Sequence, residues 1–279
     1  MAFVFTKYLV PYVEPLSIVF SRTLIGVIVM FFILKRRGLS LRVSLNVIPW
    51  FLFFGFMGVF MHQWVQAYAL YTSKASTATW IIATAPVFIA ILSRFLLKER
   101  FSFLKTLGVL FSFIGVLVVV TEGDLFLVFK QGIRTIGDII ILATSVNWAL
   151  FSVISRAFLK KHKSIPQIVV IFYNALWGLV LAGFTFIFVG RVGDFLVVVS
   201  DFKLLISTLF LGVLCTGFAH AFWYDALDVM EASKVGIFMN LQPIVGMISA
   251  SLILGEPLSF ALLFGGTLIL TGVYLVNRF

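Results

Sequence analysis

The chain has one cysteine, Cys215, so no disulfide can form within it, and a lone thiol in an apolar run reads as a small packing residue. Charge is also scarce. Asp, Glu, Lys and Arg make up 11% of the 279 residues, against about 25% in a typical soluble domain. No polar stretch is long enough to form a soluble domain, so one membrane domain is expected. The N-terminus lacks a charged leader region and an A-x-A-like site, so no cleavable signal peptide is expected. P-loop, H-E-x-x-H and G-x-S-x-G motifs are missing too. His62, His162, His220 and Cys215 are too scattered to make a metal site by spacing, so no metal, cofactor or catalytic residue is expected.

Acid is scarcer than base, with 11 carboxylates against 21 Lys and Arg and a net charge of +10. No basic stripe alternates with exposed aromatics, which excludes a nucleic-acid partner. The positive charge instead suits the loops of a protein threaded through a lipid bilayer.

What the chain has in abundance is apolar residues, 62% of the total. Runs at roughly 15–34, 48–70, 75–97, 103–120, 136–157, 165–189, 203–224, 232–253 and 258–277 approach the length a spanning helix needs. They predict nine full spans, with residues 1–10 as the tail of another. Basic residues cluster after alternate spans: Lys35, Arg36, Arg37 and Arg42, then Lys98, Arg100 and Lys105, then Arg156, Lys160, Lys161 and Lys163. These loops share one side, cytoplasmic by the positive-inside rule. The loop at 228–234 fits weakly, supplying only Lys234.

The two ends of the chain align without a gap at an offset of 157 residues. Gly55 falls on Gly212, Ala75-Ser76 on Ala232-Ser233, Pro86 on Pro243, Glu99 on Glu256, Gly108 on Gly265 and Gly115 on Gly272. Such matches interrupt an apolar pattern and are not produced by composition alone. The loop holding Glu99 is basic while that around Glu256 has no Lys or Arg, so the copies should cross the membrane in opposite senses. An inverted repeat needs an odd number of helices per copy, here five. The expected architecture is an all-α integral membrane protein of ten helices in two five-helix halves, 1–120 and 136–279. Helix 1 looks truncated, because Lys7 has only six residues before it whereas its counterpart Arg156 has a long apolar run.

These stretches carry a family resemblance. Ala75-Ser76 through Pro86 to Leu97-Lys98-Glu99-Arg100, and Ala232-Ser233 through Asn240-Leu241-Gln242-Pro243 to Gly255-Glu256-Pro257, resemble the ten-helix drug/metabolite transporter superfamily of the EamA type. The resemblance covers nearly the whole chain. It implies two five-helix bundles around a central cavity and transport by alternating access, without naming a substrate.

Individual residues carry competing readings. Pro86 and Pro243 fall near the middle of spans, where proline lacks the N–H and clashes with the preceding turn. They are expected to kink their helices, lining a site or shaping packing. Glu99 and Glu256 each precede a serine that opens the next helix, Ser102 or Ser259, which favours a structural turn over a proton carrier. The paired glycines read as close helix packing.

Polar and aromatic groups within spans form the candidate substrate cavity: His62, Gln63, Gln66, Trp80, Asn147, Trp148, His220, Tyr224, Asn240 and Gln242. Polar groups at that depth must face the bundle interior, either around a ligand or as bonds between helices. Arg22 is the one basic residue clearly inside a span. It either meets a substrate charge or plays a structural part by snorkelling or binding carbonyls.

The expected function is secondary transport of a small neutral or zwitterionic metabolite, such as an amino acid or derivative, across the plasma membrane, with export the expected direction. Protons or a counter-transported solute are candidate coupling partners, and a homodimer is a candidate assembly. Two other classes stay open at this point. One is a membrane-embedded enzyme on a lipid-linked substrate, using Asp225, Asp228 and Glu231, and the other is a non-transporting scaffold.

Overall fold

A computed structural model describes residues 1–96, 102–124, 135–162, 165–222 and 241–278. Among the described residues all regular structure is helical. The order is α1 (Ala2–Leu9), α2 (Pro15–Arg36), α3 (Ile48–Phe54), α4 (Met61–Ala69), α5 (Ala75–Ile82), α6 (Ala85–Leu96) and α7 (Phe103–Val120). It continues with α8 (Ile136–Lys161), α9 (Gln167–Val189), α10 (Gly193–Ser200), α11 (Phe202–Leu209), α12 (Leu241–Leu254) and α13 (Phe260–Arg278). Two π-helical stretches, Gly55–Phe60 and Phe210–Phe218, join α3 to α4 and extend α11. Among the described residues seven segments are long and apolar enough to cross a membrane, and Leu241–Leu254 and Phe260–Val276 are shorter apolar helices. The first part of the expected 232–253 span lies outside the described residues.

Pro86 does what its chemistry requires. The expected 75–97 helix is two pieces, α5 and α6, parted by a turn at Ala83-Thr84. The interrupted ladder leaves the Ile81 carbonyl to accept from the Thr84 N–H at 3.1 Å and from the hydroxyls of Thr84 at 2.6 Å and Ser145 at 3.3 Å. Side-chain hydroxyls thus satisfy a carbonyl that lipid could not. Pro243 is buried near the start of α12, and the chain before Leu241 lies outside the described residues.

The loops sort onto two faces. On one, Asp194 accepts from the Ser17 hydroxyl at 2.6 Å and the Glu14 N–H at 3.0 Å, and Arg191 pairs with Glu14 at 2.9 Å. Ser73 donates to Asp138 at 2.5 Å, and Lys74 pairs with Glu122 at 2.7 Å. Every carboxylate among the described residues is at this acidic face: Glu14, Glu122, Asp124, Asp138, Asp194, Asp201 and Glu256. The other face carries Lys35, Arg36, Arg37, Arg42, Arg156 and Lys161. There Tyr173 donates to the Leu41 carbonyl at 2.6 Å, while Phe51 stacks on Tyr173 and Phe54 meets Phe158 edge-on. On a Cys215→Ser background, single cysteines at Thr72 and Gly193 should therefore react with an impermeant maleimide from one side of the membrane, and cysteines at Lys35 and Lys160 from the other. Labelling of all four from one side contradicts this arrangement.

Glu256 is structural, but it serves a different helix from the one the sequence points to. Ser259 accepts from the Leu262 N–H at 3.1 Å and opens α13 by itself, as Ser102 opens α7 through the Lys105 N–H. The Glu256 carboxylate instead caps α5, accepting from the N–H groups of Ala75 at 2.8 Å and Ser76 at 2.9 Å and from the Ser76 hydroxyl at 2.5 Å. A carboxylate at a helix N-terminus satisfies orphan donors and meets the positive end of the dipole. Glu256→Ala should cost about 1–3 kcal/mol, read as a lower thermal midpoint in detergent. Adding Ser76→Ala should cost little more, because both changes remove the same contact. Glu99 lies outside the described residues.

Helix α7 crosses α13 closely. A methyl carbon built at Gly108 would stand 2.6 Å from the Gly272 carbonyl oxygen, and one at Gly115 2.6 Å from that of Gly265. Only hydrogen at these positions lets the two backbones touch. In lipid that contact is the main attraction available between apolar helices.

Candidate functional site

The π-helical stretches position the interior polar groups. A π turn carries an extra residue and leaves carbonyls without their usual i+4 donor. In the first, the Met57 carbonyl accepts from Asn147 Nδ2 of α8 at 2.9 Å. In the second, the Leu211 carbonyl accepts from the Thr216 hydroxyl, five residues on, at 2.9 Å.

Around the first stretch, Asn147 Nδ2 also lies 3.4 Å from His62 Nδ1. An amide nitrogen is a donor, so Nδ1 of His62 accepts and its proton sits on Nε2. Trp148 lies against His62 with ring centroids 5.1 Å apart, and Phe151 continues the stack from Trp148 at 5.1 Å. One turn along α4, Gln66 donates to the Thr144 hydroxyl of α8 at 3.2 Å. His62, Gln66, Asn147 and Trp148 thus come together between α4 and α8.

Around the second stretch, Arg22 of α2 donates from Nε and Nη2 to the Thr216 hydroxyl oxygen at 3.4 and 3.3 Å. His220 Nδ1 is 3.0 Å from the Thr216 carbonyl, so it donates there and leaves Nε2 as an acceptor. The approach of α2 is close because Gly26 lies on Thr216 and Gly212 lies against Ile25 and the Arg22 carbonyl. Arg22 belongs to the second group, bonded to Thr216. Among the described residues Arg22 bonds no backbone carbonyl. Its partner is a side chain across the bundle.

Other expected residues lie elsewhere. Trp80 is buried in the core with its ring edge against Gly266 of α13, and its Nε1 has no partner. Gln63 is partly buried with its Oε1 unpaired, and Gln242 is exposed on α12. Tyr224 and Asn240 lie outside the described residues. Thr216 and Thr144 are bonding residues absent from the sequence-based set. A hydroxyl in an apolar run reads as filler, yet Thr216 stands four residues before His220 and so shares its helix face.

A multi-helix membrane bundle with polar groups gathered between its helices is the build of a solute carrier, and comparison with known proteins agrees. The chain belongs to the EamA-like transporter family, whose model matches residues 1–121 and 135–278. An uncharacterized transporter of Archaeoglobus fulgidus is 28% identical over 100% of this chain and 94% of its own length. A probable amino-acid metabolite efflux pump of Escherichia coli is 23% identical over 72% of this chain and 67% of its own. A solved crystal structure with 20% identity superposes at a TM-score of 0.66 over 98% of this chain and 93% of that one, which shares the fold. The chain is therefore a multi-pass membrane transporter with a small-molecule substrate.

Proposed function

We propose that the protein exports a small amino-acid-like metabolite across the plasma membrane by alternating access, from a site built by two inverted five-helix halves. The observation that carries this reading is the pair of polar groups at interior depth, His62 with Asn147 between α4 and α8, and Arg22 of α2 with Thr216 and His220 at and just after the second π stretch. Polar groups in lipid are costly and mark substrate paths by default.

Reciprocal contacts support the inverted repeat. Gly108 meets Gly272 where Gly115 meets Gly265, and each member of one pair is the 157-residue counterpart of a member of the other. Ser112 donates to the carbonyl of its own counterpart, Ile269, at 3.4 Å. Gly55 packs on the Asn174 carbonyl and Gly178 just as Gly212 packs on the Arg22 carbonyl beside Gly26. A two-fold axis in the membrane plane produces such swaps. The family model matching in two stretches, 1–121 and 135–278, supports the same halves. The basic face is then cytoplasmic.

The name of the Escherichia coli relative supports an amino-acid-like substrate and outward direction. Coupling to protons or to a counter-transported solute would run through His62 and His220, the described imidazoles at the site. Expression in a bacterial host fed with dipeptides tests this reading. Cells carrying the protein should hold less of at least one free amino acid inside and release more of it than cells carrying Asn147→Leu. Equal internal pools across all amino acids would remove the export reading.

A further inference from the structure

Among the described residues Arg22 has no counter-ion. Its guanidinium has five N–H donors in a rigid fork. Its bonded partner among the described residues is the Thr216 hydroxyl, met at 3.3 and 3.4 Å, at the long end for hydrogen bonds. That hydroxyl is itself committed to the Leu211 carbonyl, and Nη1 has no acceptor among the described residues. The described carboxylates all sit at the acidic face, and those that cap helices are engaged there. Arg22 lies seven residues into α2, about 10 Å along the helix axis from Pro15 at 1.5 Å per residue. Its contact with Thr216, fourteen residues into the Phe202–Phe222 span, draws it further inward.

A guanidinium fork matches a planar carboxylate with two parallel bonds, and such charge-assisted pairs are the strong ones. Of the two interior imidazoles, His220 turns an Nε2 lone pair outward, so it is His62 that can add a donor for an anion. His62 keeps its proton on Nε2 and offers a donor, and no negative side chain among the described residues stands near to compete. A cationic solute would meet like charge at Arg22 with no carboxylate among the described residues to offset it.

We infer that Arg22, steadied by Thr216, receives a carboxylate of the transported molecule, so that the site selects carboxylate-bearing solutes and excludes cations. This rests on the proposed transport reading and narrows its substrate class from neutral or zwitterionic molecules in general to those with an acid group.

The test uses the full chain purified in detergent and acid–amide pairs alike in everything except the carboxylate: each common L-amino acid with its amide, and 4-hydroxybenzoate with 4-hydroxybenzamide. Binding is read as a ligand-induced rise in thermal midpoint. The wild type should bind at least one acid ~10- to 100-fold more tightly than its amide, the range that hydrogen bonds to a charged group supply. Arg22→Gln should bring that ratio to about one, and Arg22→Lys, a point charge without the fork, should keep part of it. Arg22→Lys also serves if Arg22→Gln does not run as a folded species by size exclusion. Amides that bind as well as acids, no acid that binds at all, or an unchanged ratio in Arg22→Gln or Arg22→Lys overturns the inference. Flux in proteoliposomes is measured separately. Arg22-dependent acid binding without flux would leave the inference standing and remove the transport reading, whereas equal flux of acids and amides would do the reverse.

Discussion

Leucine at Gly108 or Gly272 is expected to abolish the folded bundle. A β-carbon at Gly108 falls 2.6 Å from the Gly272 carbonyl oxygen, and one at Gly272 falls 2.4 Å from that of Gly108. Neither neighbour can yield, because both are backbone within long helices. The helices must move apart, and contact is lost along the whole crossing rather than at one residue. Overpacking a tight core costs about 1–3 kcal/mol where side chains can adjust. Here they cannot, and the loss should exceed that range. The readout is the yield of monodisperse protein after solubilisation, with Leu117→Ala on the exposed side of the same helix as a control. That control should stay within about 0.5 kcal/mol of wild type. Normal yield and midpoint for Gly108→Leu would mean that α7 and α13 do not meet as described.

Asn147→Leu is expected to remove most activity while leaving a protein that inserts. Asn147 holds two things at once, the free Met57 carbonyl of the first π stretch and Nδ1 of His62. Leucine fills a similar volume but leaves that carbonyl unpaired, a loss of about 1–3 kcal/mol for a buried polar group. The imidazole also loses the donor that fixes its tautomer. A displacement of this size beside a site should lower flux per folded molecule about tenfold or more, since each 1.4 kcal/mol is a factor of ten. Asn147→Asp should do no better, because a carboxylate cannot donate to the Met57 carbonyl. Wild-type flux in Asn147→Leu would show that the His62 region plays no part in moving the solute.

Much of the fold is written in residues that interrupt apolar runs. Pro86 announces the break between α5 and α6, and the seven-residue spacing of Gly108 and Gly115 announces a face that packs closely. Glu256 reads as a turn residue, and it is one in the sense of capping. Its target, however, is a helix start some 180 residues earlier, which local spacing does not reveal. The π stretches were not legible, because Gly55–Phe60 and Phe210–Phe218 are apolar and fit an α-helix equally well. Their glycines, Gly55 and Gly212, pack closely on Gly178 and Ile25, contacts that only the folded chain supplies.

In the candidate site, the interior position of His62, Gln66, Asn147 and His220 was legible because polar groups in apolar spans are costly. Arg22 was visible, but its partner Thr216 was not. Trp80 shows the limit of such reading. An aromatic ring in a span faces a cavity or a neighbouring glycine with the same composition around it, and Trp80 faces Gly266.

The central claim is a single solute site that opens to one side of the membrane at a time. Counterflow in proteoliposomes tests it most directly. Vesicles holding the purified chain are loaded with an unlabelled amino acid and diluted into a trace of the same compound carrying a radiolabel. An alternating-access carrier should give a transient internal accumulation of label above its equilibrium level, absent from protein-free vesicles and strongly reduced in Asn147→Leu. Label that only creeps to equilibrium, at the same rate with and without internal amino acid and for every amino acid tried, would contradict the account.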